Sequence, residues 1–257
     1  MRAAWSRSTS GNASASLRSA SIDKATLLED IGGFLLIVLI VGAVVAAIIY
    51  AQVLARRRRE AMAAWARARG LTYTPEKQRA VDDAFPFSCL HRGDNRYAYN
   101  VMQGRWREFD VYAFDYHYET HSHDSKGRRQ THTHTFSAVI VTPSFPIKPL
   151  LIRTEGFFDK VGEFFGADDI DFELAEFSRE FFVKSPDRRW AFDVLHQEAM
   201  EFLMQSPRYT LEFQNGSAIA LTDATWAPDA FDAALKVVGG LIERIPQSVV
   251  RELKGSA

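Results

Sequence analysis

Five of the seven histidines in this 257-residue chain fall between His117 and His134, in the stretch HYETHSHDSKGRRQTHTH. A neutral imidazole is a good ligand for divalent metals and carries protons near neutral pH, so this density is the first place where chemistry could reside. His121 and His123 are two apart, as are His132 and His134, and residues i and i+2 share a face of a strand. If the intervening segment closes a hairpin, His121, His123, His132 and His134 could converge on one ion at Zn–N distances of roughly 2.0–2.1 Å. Asp124 would add an oxygen donor. The competing reading is a polar loop, His121 to Gln130, that happens to be rich in histidine. A divalent metal is the one cofactor these residues suggest.

The second charged constellation is Arg56, Arg57, Arg58 and Arg59, with Arg67 and Arg69 just beyond. Such a run can hold anionic lipid headgroups, and it is also the flank that stops a membrane segment from translocating. The acidic residues Asp168, Asp169, Asp171, Glu173 and Glu176 lack the glycine and ligand spacing of an EF-hand loop and read as a solvated connection. His196-Gln-Glu198 has no second histidine four residues on, and no GxSxG elbow, HExxH, P-loop or GxGxxG follows a strand. These absences argue against an enzyme of a familiar class. One cysteine, Cys89, rules out an intrachain disulfide or a CxxC site. A formal net charge of -1 gives no bulk reason to expect nucleic acid as a partner.

These groups must be positioned by two different kinds of structure. From Ile31 to Ala55 the chain reads IGGFLLIVLIVGAVVAAIIYAQVLA, without a charged side chain. About 20 apolar residues cross the hydrocarbon of a bilayer, so residues 31–55 predict one transmembrane helix. A signal peptide would have a shorter apolar core, nearer the N-terminus, ending in a small-residue cleavage site. The arginines follow the span, whereas Arg18 and Lys24 precede it beside Asp23, Glu29 and Asp30. The positive-inside rule then places the N-terminus outside and the C-terminal domain in the cytoplasm. Gly42 and Ala46, like Ala43 and Ala47, have the small-xxx-small spacing that would permit a homodimer. Residues 1–25, rich in Ser and Ala without periodicity, predict a disordered tail. Residues 56–69, with helix formers from Glu60, predict a basic juxtamembrane helix that stops at Gly70.

Residues 70–250 predict a soluble α+β domain. A short strand near Leu71 to Thr74 precedes a short helix after Pro75. Two strands follow between Arg96 and Glu119, with Gly104-Arg105 as their turn. Tyr112, Phe114, Tyr116 and Tyr118 share one face of the second strand. Another strand runs from His132 to Thr142, and Pro143, Pro146 and Pro149 interrupt pairing before Leu150. Phe157, Phe158, Val161, Phe164 and Phe165 form a helical face closed by Gly166. Ser185-Pro186-Asp187 opens a helix with Phe192, Leu195, Ala199 and Phe202 as its buried stripe. Asn215-Gly216 between alternating runs demands a tight hairpin. The last helix starts at Pro228-Asp229 and buries Phe231, Ala234, Leu235, Val238, Leu241, Ile242 and Ile245. Strands in neighbouring runs rather than βαβ alternation imply a mostly antiparallel sheet with helices packed on one face.

The segment Asp169 to Val183, DIDFELAEFSREFFV, resembles a DIDFES-x-x-FNR-x-F-x-V segment of a family of uncharacterised bacterial membrane-anchored proteins. Phe114-Asp115-Tyr116 looks like the FDY stretch upstream in that family, and Leu195 with Met200 like its downstream Leu-x-x-x-x-Met helix. Leu174 and Ser178 depart from the pattern, which has Ser and Asn there. The resemblance implies a bacterial membrane protein with a cytoplasmic domain and no assigned activity. Taken with the anchor and the missing catalytic motifs, the expected function is a membrane-anchored interaction or scaffold domain with a protein partner. The alternative is a metal-binding protein using the histidine segment.

Overall fold

The apolar run predicted to cross a membrane lies within one long helix, α1 (Asn12–Ala68). The computed structural model describes residues 12–154 and 169–255, and side chains from residue 33 onward. The expected tail therefore lies partly outside the described residues, as do the Phe157–Gly166 helix and Asp168. From Asn12 to residue 25 the described backbone is helical where a disordered tail was expected. Its Ala, Ser and Leu residues can extend a helix that is already nucleated, because propagation costs far less than nucleation.

The chain divides into a unit ending at Arg58 and a unit from Arg59 onward. In the first, one helix is long and apolar enough to cross a membrane: its most apolar stretch has a mean hydropathy of 3.0 and none of that stretch is buried. Phe34, Leu39 and Tyr50 are each about two-thirds exposed. A continuous apolar surface of this extent suits lipid rather than water.

In the second unit the strands are β1 (Thr72–Thr74), β2 (Asp94–Trp106), β3 (Phe109–His123), β4 (Arg129–Thr142), β5 (Leu150–Thr154), β6 (Phe181–Lys184), β7 (Thr210–Gln214) and β8 (Ser217–Leu221). Among the described residues they form one eight-stranded sheet in the order β1-β2-β3-β4-β8-β7-β5-β6. Every pairing is antiparallel. The helices are α2 (Val81–Ala84), α3 (Ala175–Glu180), α4 (Arg188–Val194), α5 (Gln197–Gln205), α6 (Pro228–Glu243) and α7 (Gln247–Gly255), with a 3-10 turn at Ser88–His91. The α+β class and the antiparallel sheet are as the pattern of elements required.

Period-two alternation gives the sheet two apolar faces. On the first, Val111, Ala113, Val139, Ile152 and Phe213 pack with Trp190, Leu203, Phe231, Leu235 and Val238 from the longer helices. Met62, Trp65 and Ala66, in the last turns of α1, join this core, so the domain's packing reaches back past Gly70. Trp65 Nε1 donates to Asp232, and Arg69 forms an ion pair with the same carboxylate. On the second face, Phe114, Tyr116, Phe136, Ile140 and Ile219 pack beneath Val81, Phe87 and Leu90. The aromatic row foreseen on β3 is thus the floor of this second core, covered by a short segment that the sequence reading left without a role.

Four local expectations change. The β2–β3 turn is at Arg107-Glu108, closed by the Trp106–Phe109 pair, and Arg107 takes φ 54. Gly104 lies within β2 because a Cβ there would stand 3.1 Å from the Leu71 side chain and 3.5 Å from its Cα. The polar loop shrinks to Asp124–Arg128, since Asp124 Oδ1 accepts from the backbone N–H groups of Lys126 and Arg128, both at 2.9 Å. The helix from Ser185 is two helices broken at Leu195-His196, where His196 Nε2 lies 2.9 Å from the Arg244 carbonyl oxygen. As a consequence Phe192 is 43% exposed rather than part of a buried stripe. Finally, a short helix, α3, lies in what read as an acidic connection. The Asn215-Gly216 hairpin stands as expected, with φ 45 and 79 at its two turn residues.

Candidate functional site

The four histidines lie on the far part of the β3–β4 hairpin, which pairs without interruption from Asp110↔Thr142 to His123↔Arg129. Directly paired residues share a face. His121 and His123 pair with Thr131 and Arg129, so they point to one side. His132 and His134 pair with Thr120 and Tyr118 and point to the other. The register puts each pair on one face and the two pairs on opposite faces. His121 Nδ1 lies 3.1 Å from Thr131 Oγ1 and its Nε2 3.4 Å from Asp94 Oδ2. On the opposite face His132 Nε2 and His134 Nε2 lie 2.8 Å from the hydroxyls of Ser122 and Thr120, and His134 stacks on Tyr118 at 4.7 Å. Asp124 is occupied by the turn, and its carboxyl is held below the usual range first by the Arg128 backbone N–H.

Two imidazoles per face supply half of a tetrahedral donor set. Among the described residues no group of three His, Cys, Asp or Glu side chains is placed to hold an ion. The two pairs should therefore behave independently, as non-contacting sites do. Replacing His121 and His123 with Ala is expected to leave any zinc binding at His132 and His134 unchanged within about twofold in calorimetry. A joint loss would mean that the four act as one site.

Arg56, Arg57, Arg58 and Arg59 occupy consecutive positions in α1. Successive helical residues are about 100° apart, so four in a row ring the helix rather than forming a stripe. Any headgroup contact would surround the helix at one depth.

A concavity opens at the end of the second sheet face. It holds about 480 Å³ and is lined by Phe85, Gln103, Arg105, Asp110, Tyr112 and Thr142, among others. A smaller one of about 210 Å³ lies on the other side of the Phe85–Tyr112 ring pair, whose centroids are 5.5 Å apart. Tyr112 donates to Gln78, and burial pushes its phenol up to about 12. This rim offers hydrogen bonds and an aromatic wall, but its lining has no histidine, cysteine or serine.

The residues most highly constrained by polar contacts are buried. Asp115, fully buried on the first face, accepts from Asn100 Nδ2 at 2.8 Å and from Ser137 Oγ. Tyr73 donates to Asn100 Oδ1 at 2.8 Å, and the Trp226 N–H donates to Ser137 Oγ at 2.8 Å. The chain of bonds ties β1, β2, β3 and β4 to the segment before α6. On the second face Glu212, 1% exposed, accepts from Ser88 N–H at 3.0 Å and Ser88 Oγ at 2.8 Å. Burial raises its carboxyl to about 7. Sequence reasoning met Asp115 only within the FDY stretch, without its partners, and missed Glu212, whose signal was a lone carboxylate in the alternating run Thr210–Gln214.

The segment behind the family resemblance does structural work. Asp169 Oδ1 accepts from the backbone of Val183 at 3.1 Å, and Ile170 N–H donates to the Val183 carbonyl at 2.9 Å. The two residues thereby occupy the open side of the edge strand β6. Burial raises the Asp169 carboxyl, more than these hydrogen bonds lower it. Ser178 Oγ accepts from Phe172 N–H at 2.9 Å and donates to its carbonyl at 3.2 Å. Phe172 then meets Phe177 edge to face at 5.6 Å, and Phe177 stacks on Phe181 at 4.6 Å.

No family model matches the chain, and no curated protein matches it in sequence. Among solved structures, the mycobacterial trehalose monomycolate transport factor A, TtfA, is similar. The likeness has a TM-score of 0.54 at 12% identity and covers 74% of this chain and 97% of that one. Almost the whole of that solved chain thus superposes on this one, which shares its fold.

Proposed function

We propose that this chain is a membrane-anchored accessory factor whose C-terminal domain works as an interaction module at the cytoplasmic face of a bacterial membrane. The observation that carries the reading is the uncovered apolar helix joined directly to a two-faced α+β domain. Four arginines immediately after the span favour a cytoplasmic domain, and can add anionic headgroup contacts at the surface. The residues that carry the resemblance to the bacterial membrane-anchored family, Asp169, Phe172, Phe177 and Asp115, support an architecture rather than a reaction. The fold shared with a transport factor supports a role beside a membrane assembly, with a protein as the working partner.

The test is purification of the full-length chain from gently solubilised membranes. A partner co-purifying near one-to-one, and lost when the domain from Arg59 is deleted, is the expected result. Recovery of the chain alone, under conditions that keep known membrane complexes together, would overturn the reading. Orientation has its own measurement: a reporter fused after Ala257 should be active in its cytoplasmic form only. Replacing Arg56 to Arg59 with Gln should weaken that bias, since lysine and arginine near the ends of a span set its topology.

A further inference from the structure

The two faces of the sheet are covered very differently. The first carries helices up to 16 residues long. The second is covered by the segment from Gln78 to Arg92, whose helical pieces are four residues each. This strap is tied at one end by Gln78, which exchanges backbone hydrogen bonds with Ala98 at 2.7 and 2.8 Å. Arg96 Nε bonds Asp82 at 2.9 Å, and Tyr116 donates to the Leu90 carbonyl at 2.6 Å. In its middle, over the sheet, the strap's polar anchor is Glu212 through Ser88. The Gln214 amide reaches the Pro86 carbonyl beside it at 3.4 Å.

The carboxyl of Glu212 therefore lies between the sheet and the strap. Its neighbours across β5 and β8 are Leu151 and Ile219. From the strap, the Cys89 thiol and the Arg92 guanidinium face it, and Arg92 favours its charged form without offsetting burial. On the same row, beyond Leu151, stands Lys184, whose ammonium lies over the Phe182 ring at 5.3 Å. A charge enclosed this way is costly, and lifting the strap gives it water.

We propose that residues 78–92 form a proton-dependent strap, closed over the aromatic face of the sheet while Glu212 is protonated and loosened when Glu212 ionises. Opening lets the carboxyl ionise at its ordinary value near 4.5, whereas closure holds it up to about 7. Between those values the closed form keeps a proton that the open form has lost, so opening becomes easier as pH rises through the window and levels off above it. The face that is uncovered carries Phe114, Tyr116 and Phe136. This gives the domain a second apolar surface that acidity conceals.

Cys89, the one cysteine of the chain, sits on the strap and is buried. Burial, and then the nearby Glu212, raise its thiol, so in the closed form it is inert. The experiment follows labelling of Cys89 by a dithiodipyridine in the full-length chain held in nanodiscs. At each pH the rate is divided into that of the urea-unfolded chain, which removes the thiol's own titration. This protection is expected to fall on the order of 100-fold from pH 4.5 to 7 and then to level. In Glu212→Gln, which keeps an acceptor for Ser88, it should be flat. A flat wild-type profile, or an undiminished fall in the variant, overturns the proposal. Should the variant fail to fold, the wild type decides through amide exchange of the β3–β4 core. Core protection unchanged while Cys89 protection falls supports a local strap; a parallel fall of both means global unfolding and overturns it.

Discussion

Asp115→Ala is expected to remove roughly 3–5 kcal/mol of the domain's stability, because it strands two buried donors at once. Asn100 Nδ2 and Ser137 Oγ both donate to this carboxyl, and Asn100, Asp115 and Ser137 are all buried. Each buried group left without a partner costs about 1–3 kcal/mol, and the lost side chain leaves a void besides. The effect should spread, because Asn100 sits at φ 50 where the β2–β3 register shifts between Tyr99 and Met102. Asn100 accepts from Tyr73 while Ser137 accepts from the Trp226 N–H, so both ends of the chain lose their orientation. For a domain of this size the loss corresponds to a fall in Tm of about 10 °C or more. Asp115→Asn keeps one acceptor oxygen but turns an amide toward the second donor, and should lose about half as much. Thermal melts followed by near-ultraviolet circular dichroism measure both. Equal, small losses in the two variants would mean that the bonds are replaced by water.

The contrast between what the sequence disclosed and what it hid follows from range. The long apolar helix is a local feature, readable from 25 uncharged residues in a row. The Asn215-Gly216 hairpin is equally local, since both residues must take positive φ. The aromatic alternation on β3 was legible as a face, but nothing local said what would cover it. The cover comes from residues 78–92, joined through contacts such as Ser88 to Glu212, 124 residues apart. The histidines were legible in number and spacing, while their convergence depended on register. Pairing His121 with Thr131 rather than with another histidine sends the two pairs to opposite faces. A shift of a single residue in that register would have gathered all four, because side chains alternate with period two. Gly104 failed as a turn signal for a related reason. Its lack of a side chain serves the approach of Leu71, which no window around position 104 contains.

Gly93→Ala should cost about 3 kcal/mol or more, well beyond the ordinary penalty for placing alanine at a positive φ. Gly93 has φ 57 and joins the strap to β2. A Cβ there would stand 2.0 Å from the Glu119 carbonyl oxygen and 2.9 Å from its carbon, both backbone atoms. A flexible side chain could swing away from such a clash, but a backbone carbonyl within β3 cannot move without its neighbours. Asp94 pairs with Glu119, Asn95 Nδ2 donates to the Glu119 carboxylate at 2.7 Å, and Arg96 donates to the Gly93 carbonyl at 2.8 Å. All three contacts shift together if the strands separate. The control is Gly127→Ala in the β3–β4 turn, where φ is 74 and nothing lies within 4 Å of the added atom. That variant meets the conformational cost alone, about 1 kcal/mol. Urea unfolding of both variants separates the two effects. A large loss at Gly93 with a small one at Gly127 means that the close approach of the strap's end to β3 is held in solution. Similar losses at both would mean that this corner relaxes, and that the strap is tied at Gln78 and Ser88 without help from Gly93.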